Sequence, residues 1–139
     1  MTIQGYNCIA VVHNNKRDWL MCRRLKEPYK GKLNLVGGKI EDGEDHLEAA
    51  YRELCEETGL TRQDITLTRF LTFDYPLDNC YVEVYAGTLE KETEVSGDEN
   101  KLLWVPMRED FFDMERFAGE GNIGHMLEIM KLHFDICPK

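Results

Sequence analysis

Three observations in the sequence predict a mixed α/β (α+β) fold. Short apolar stretches bounded by turn residues lie on both sides of one segment with helical periodicity. That segment spans residues 45–58. A second amphipathic helix pattern stands near the end of the chain. Strands on both sides of a central helix, with another helix after them, suggest a mixed sheet covered on its two faces. The 139 residues suffice for one domain with a real core, spanning 1–139, and are few for two.

The elements follow in order. Residues 7–13 form an apolar strand, and the Asn14-Asn15-Lys16 turn leads to a second strand over residues 19–24. Residues 27–32, with Pro28 and Gly31, are a loop. Residues 33–36 are short and extended, and end at Gly37-Gly38. In the helix over residues 45–58, Leu47, Ala50, Tyr51 and Leu54 recur at i, i+3, i+4 and i+7 as one apolar face. Gly59 is its C-cap. Residues 61–64 turn into strands over residues 65–75 and 81–89, joined at Pro76-Leu77-Asp78-Asn79. Residues 91–100 are a polar, acid-rich loop, and Pro106 closes a short strand over residues 102–105. Ile123, Met126, Leu127, Met130 and Phe134 mark the last helix. No internal repeat, low-complexity tract or linker interrupts the chain.

Composition narrows the function classes. Hydrophobic residues make up 42% and charged residues 31%, a globular balance. No apolar run reaches membrane-spanning length, and the N-terminus shows no basic leader before an apolar stretch. A membrane partner is therefore not expected. Five cysteines (Cys8, Cys22, Cys55, Cys80, Cys137), odd in number and without C-x-x-C spacing, point to a reducing compartment, the cytoplasm. A net charge of −9 disfavours long nucleic acid, which needs a cationic footprint. It does not disfavour a small nucleotide whose charge is met by metal. Oligomeric state, monomer or homodimer, is left open.

The residues that carry chemistry sit on the central helix. Glu53, Glu56 and Glu57 point away from its apolar face. At about 100° per residue, Glu53 and Glu57 lie roughly 40° apart, and Glu56 about 60° from Glu53 on the other side. Like charges at these spacings cost a few tenths of a kcal/mol each. Glu56 and Glu57 also stand in the last turn, where the helix dipole disfavours anions. Arg52 is the only base in the cluster and can offset one acid at most. A bound divalent cation would reverse the problem, because hard cations take oxygen ligands. The bland alternative is a solvated acidic face.

The spacing resembles a known signature. Gly38, five residues, Glu44, seven residues, then Arg52-Glu53-Leu54-Cys55-Glu56-Glu57-Thr58-Gly59-Leu60 is similar to the Nudix box of the Nudix hydrolases. All fixed positions are filled, the apolar Leu54 and Leu60 included. The resemblance implies a Nudix-like α/β/α sandwich with a mixed β-sheet between helices, and a MutT-type member. It implies Mg²⁺ or Mn²⁺, held by Glu53, Glu56, Glu57 and the Gly37 backbone. Glu53 or a loop acid, Glu99, would be general base, and Arg52 would orient Glu53. Cys55 fills a variable position and reads as helix filler. Gly38, Lys39 and Glu44 are substrate or supporting contacts. Gly38 lacks a side chain that would obstruct close approach.

Substrate recognition follows the same resemblance. Arg23, at a strand end, would meet a phosphate; as a bare feature it is also a surface charge. Asn34 would hydrogen-bond substrate. Asn122, before the last helix, is similar in placement to an Asn that reads a purine in MutT-type enzymes, with an N-cap as the plainer role. Phe73, Tyr75 and Tyr81 are candidates for base stacking or core. The implied function is metal-dependent hydrolysis of a nucleoside diphosphate-linked substrate. A nucleoside triphosphate comes first, an oxidised purine nucleotide such as 8-oxo-dGTP among them. ADP-ribose or a nucleotide sugar is the alternative, on Pro76 sixteen residues after Leu60. A third reading is a nucleotide-sensing or protein-binding module without catalysis, in which the box is usually broken.

Overall fold

An apolar strand such as the first one is stable only when both its edges and both its faces are covered. The computed structural model describes residues 3–25, 27, 29–93, 95, 101–119 and 121–133, and it shows both. β1 (Gln4–Val12) pairs in parallel with β6 (Cys80–Thr88), from Gln4↔Cys80 to Val12↔Thr88. Two strands share its other edge. β4 (Val36–Lys39) runs antiparallel to the first half of β1, and β2 (Asp18–Arg23) meets it at Val12↔Trp19. β3 (Leu33–Asn34) and β7 (Lys101–Pro106) flank β2, and β5 (Thr68–Tyr75) flanks β6, all antiparallel. Among the described residues the result is one mixed seven-stranded sheet.

Alternation along β1 sorts the core into two layers. Ile9 and Val11 pack with Ala50 and Leu54 of α1 (His46–Thr58) on one face. Cys8, Ala10 and Val12 pack with Ile123, Met126 and Leu127 of α2 (Asn122–His133) on the other. This is the expected α/β/α arrangement. Full burial of Leu54 contributes about 1.5–3 kcal/mol. None of the described helices is long and apolar enough to cross a membrane.

Several boundaries move for physical reasons. The expected extended segment over residues 33–36 is two strands. Leu33 is held by the backbone of Arg116 and Ala118, which turns β3 away, and β4 continues through the glycines rather than stopping at them. The strand expected from residue 65 begins at Thr68, because Ile65 N donates to Thr61 O and Leu67 N to the Tyr51 hydroxyl. Within α1, Leu47 is 38% exposed and Ala49 is buried in its place. Ile123, Met126, Leu127 and Met130 are buried as expected, whereas Phe134 lies outside the described residues.

Candidate active site

The site begins with how α1 is started and stopped. Asp45 caps the helix by accepting from Glu48 N at 3.0 Å, and Gly59 closes it with N–H to Cys55 O. Those ends fix the helix so that Glu53 and Glu57 lean onto β4. The expectation that all three acids face away from the packed side is corrected for these two. Glu56 alone points outward, its side chain 60% exposed.

β4 accepts the acids because it carries no side chains at the contact. A Cβ on Gly38 would stand 2.5 Å from the Glu53 carboxylate carbon. Gly37 has φ +154, and a Cβ there would strike the Asn7 carbonyl of β1. Gly37 N donates to Glu57 Oε2 at 3.2 Å. Gly38 N donates to the Asn7 side-chain Oδ1 at 3.0 Å.

Arg52 does more than offset one acid. Its Nε donates to Glu44 Oε2 at 2.7 Å and its Nη2 to Glu44 Oε1 at 3.0 Å. Nη1 donates to Glu53 Oε1 at 2.9 Å and reaches Glu56 at 3.3 Å. Nη2 also donates to the Lys39 carbonyl at 3.0 Å. One planar guanidinium thus joins three acids and a strand, a geometry Lys cannot reproduce. Hydrogen bonding to Arg52 pulls the Glu44 carboxyl below its ordinary range. Burial pushes Glu53 the other way, with Arg52 opposing it. Glu57 also acts inward: burial first, then their mutual proximity for Cys8, with Glu57 adding at both, holds the thiols of Cys8 and Cys22 up at about 12. Cys55 is exposed, as a helix filler would be.

These groups fit a divalent cation in chemistry: carboxylates and a peptide carbonyl are hard oxygen donors, and Glu53 is a half-buried acid whose charge lacks full solvation. Among the described residues, no group of three acid, His or Cys side chains already converges on one ion position.

Other expected residues separate into groups. Asn34 pairs with Cys22, on the Glu57 side of the sheet. The Arg23 guanidinium donates to Gly31 O at 2.9 Å and belongs to the loop after β2. Asn122 stands on the α2 face and donates from Nδ2 to the Tyr75 hydroxyl at 2.7 Å. It is not the N-cap: the Gly121 carbonyl accepts from His125 N, so Gly121 holds that position. Glu99 lies outside the described residues.

Two buried polar residues escaped the sequence reading. Asn7 and Glu83 are each 4% exposed and sit side by side on β1 and β6. Glu83 accepts from His46 Nδ1 at 2.8 Å, the Tyr85 hydroxyl at 2.9 Å and Arg69 Nη1 at 3.2 Å. Asn7 Nδ2 has no acceptor among the described residues, a deficit worth about 1–3 kcal/mol. The available signal was alternation: Asn7 shares the inward parity of Ile9 and Val11.

Comparison with known proteins places this geometry. The NUDIX domain family model matches residues 4–120. The chain is 35% identical over 136 residues to the 8-oxo-dGTP diphosphatase of Escherichia coli (strain K12), covering 94% of this chain and 84% of that one. It is 41% identical over 102 residues to the 8-oxo-dGDP phosphatase NUDT18 of Danio rerio, covering 68% of this chain and 30% of that protein. The solved binary complex of a C. elegans Ap4A hydrolase superposes with a TM-score of 0.72 at 16% identity, over 94% of this chain and 98% of that one. The chain belongs to the NUDIX domain family as a MutT-type hydrolase of phosphoric anhydrides.

Proposed function

We propose that this protein is a nucleoside triphosphate pyrophosphohydrolase, with oxidised purine nucleotides such as 8-oxo-dGTP among its substrates. One observation carries the reading: the Glu53 carboxylate lies on Gly38 and is held by Arg52. The likeness to the E. coli 8-oxo-dGTP diphosphatase supports the substrate class. Mg²⁺ or Mn²⁺ would be held by Glu53, Glu56, Glu57 and the Gly37 carbonyl. When bound, such an ion supplies charge neutralisation for phosphoryl oxygens and acidifies water.

The protein's own groups do the rest. Water attacks phosphorus, a new P–O bond forms, and the bridging P–O bond breaks with its electron pair leaving on the phosphate. Glu53, or Glu99, takes the proton released by the water. The raised affinity of Glu53 for a proton, caused by burial, suits that task. Arg52 keeps Glu53 from swinging out, and Glu44 keeps Arg52 in place. Gly38 leaves room for close approach, with Lys39, Asn34 and Arg23 as substrate contacts and Asn122 at the base. The whole chain, 1–139, is read as one such domain working in the cytoplasm, with no long nucleic acid or membrane as partner.

ADP-ribose or a nucleotide sugar is the second reading, because Pro76 opens the turn directly after Tyr75, next to Asn122. Release of phosphate products from a panel of oxidised and ordinary nucleoside triphosphates, ADP-ribose and nucleotide sugars, with and without Mg²⁺, decides between them. Triphosphates should turn over best. Preference for ADP-ribose would overturn the first reading, and no metal-dependent turnover of any substrate would overturn both.

A further inference from the structure

Glu83 of β6 shares the α1-facing parity of Tyr85 and is buried. Taking a carboxylate out of water is costly, and an apolar residue of similar size would stabilise the fold as well. Three donors offset the cost, each from a different element. They are His46 Nδ1 of α1 at 2.8 Å, the Tyr85 hydroxyl of β6 itself at 2.9 Å and Arg69 Nη1 of β5 at 3.2 Å. Burial, and then the bond to Glu83, pushes the Tyr85 hydroxyl up, so it stays a donor. What a buried polar centre supplies beyond stability is register, because few arrangements satisfy all its partners.

Of the three donors, His46 is the one on α1. It is the first residue of that helix. Glu53 follows seven residues later, about 10 Å along the axis at 1.5 Å per residue. The first turn has little other hold on the sheet: Leu47 and Glu48 are exposed, and Glu48 pairs outward with Arg62. Arg52 fastens the middle of the helix to Glu44 and to the Lys39 carbonyl. Beyond the middle, Glu53 lies on Gly38 and Glu57 takes the Gly37 N–H, and these are the acids assigned to the metal. A rod held at its middle can still pivot. The His46–Glu83 bond is a second fixed point, and it makes no demand on a metal-binding group.

We propose that His46 and Glu83 are positioning residues for hydrolysis. Their hydrogen bond holds the start of α1 on β6 and so sets where Glu53 and Glu57 stand over Gly37-Gly38. Tyr85 and Arg69 keep the Glu83 carboxylate aimed without touching α1, and either can be lost while the other remains. This inference rests on the metal-binding role given to Glu53 and Glu57 above.

The full chain, with Mn²⁺ as the probe, tests it through four variants. His46→Leu removes the donor on α1 and keeps its bulk. It should weaken Mn²⁺ binding and lower kcat by about 10-fold each, as displacement of a reacting group by a fraction of an ångström does, with KM nearly unchanged. His46→Asn carries an amide N–H where the imidazole N–H stood and should restore both to within about threefold. Tyr85→Phe and Arg69→Ala take other donors from the same carboxylate. Their thermal melts should fall as in His46→Leu, yet Mn²⁺ affinity and kcat should stay within about twofold of the wild type, since neither donor belongs to α1. Parallel losses of affinity and kcat in all three donor variants, tracking the melts, would overturn the inference and leave Glu83 a structural residue. So would full affinity and kcat in His46→Leu, or no recovery in His46→Asn. A wild type that binds no Mn²⁺ would instead strike the metal reading itself, and the inference with it.

Discussion

Arg52 grips Glu44 with two parallel hydrogen bonds, Nε to Oε2 at 2.7 Å and Nη2 to Oε1 at 3.0 Å. This fork joins the turn before α1 to the middle of the helix. It leaves Nη1 for Glu53 and Glu56. The pair sets the angle from which one acid is presented to another.

Acid stability should reveal the pair. Arg52 holds the Glu44 carboxyl below its ordinary range. A lowered folded value contributes stability that is present above the unfolded carboxylate value, about 4.3, and is lost as pH falls through the folded one. Denaturant melts between neutral pH and about pH 3 should therefore show a shallower acid loss in Glu44→Gln than in the wild type. Identical profiles would mean that the pair contributes nothing to folding.

The two glycines of β4 should separate fold from chemistry. At Gly38 the obstacle to a methyl group is the movable end of Glu53, so Gly38→Ala should fold almost normally and displace the carboxylate. Misplacement by about 1 Å can cost about 100-fold in rate. At Gly37 the obstacle is the Asn7 backbone, which cannot give way, and the φ is one that glycine favours. Gly37→Ala should lose about 1–3 kcal/mol of stability or more. Melting curves and kcat for both variants check this, and a thermally weakened Gly38→Ala with full activity would refute it.

Metal should stabilise as well as activate. Glu53, Glu56 and Glu57 crowd one end of α1, where Arg52 serves Glu53 and Glu56 and the Gly37 N–H serves Glu57. A ligand bound only by the folded state at 100 times its Kd adds about 2.7 kcal/mol. Thermal melts with Mg²⁺ should move upward, and Glu57→Gln should shrink the shift. An unmoved melt, with and without nucleotide, would favour a solvated acid face.

The Asn122–Tyr75 pair makes base recognition testable without a capping artefact. Asn122→Ala removes a hydrogen bond of about 1 kcal/mol but leaves the helix start at Gly121 intact. If Asn122 meets a purine edge, kcat/KM for purine substrates should fall by about 1–3 kcal/mol, and pyrimidine substrates should change little. An unchanged purine to pyrimidine ratio would remove Asn122 from the base site.

Much of this was legible in the chain. The helix, its C-cap at Gly59 and the acids on its surface were read from spacing, and Met126, Leu127 and Met130 were rightly placed on the buried face of the last helix, whereas the N-cap role of Asp45 was not read. The misses share a cause. Helical periodicity favoured Leu47 over Ala49 because leucine weighs more on any apolar scale, yet the sheet admits only the small residue. Gly37-Gly38 read as the end of an extended segment, since nothing local says that the strand continues through them to receive the acids of α1. Asn7 was hidden in an apolar run and Glu83 between aromatics. Their roles depend on neighbours across the sheet, which spacing along the chain does not encode.

The parallel ladder of β1 with β6 joins residues seventy-six positions apart, and α1 lies wholly inside the stretch it closes. On the ribosome the box therefore emerges before its seat is finished. Ala50 and Leu54 must wait for Tyr85 and Leu89 before their side of the core is dry. Closure of so long a loop is entropically slow and comes before the contacts that reward it. A half-made chain thus holds every box carboxylate together with the β4 glycines that seat them, but not the strand that completes the sheet beneath, so the site is expected to become rigid only when the second half of the sheet has been translated.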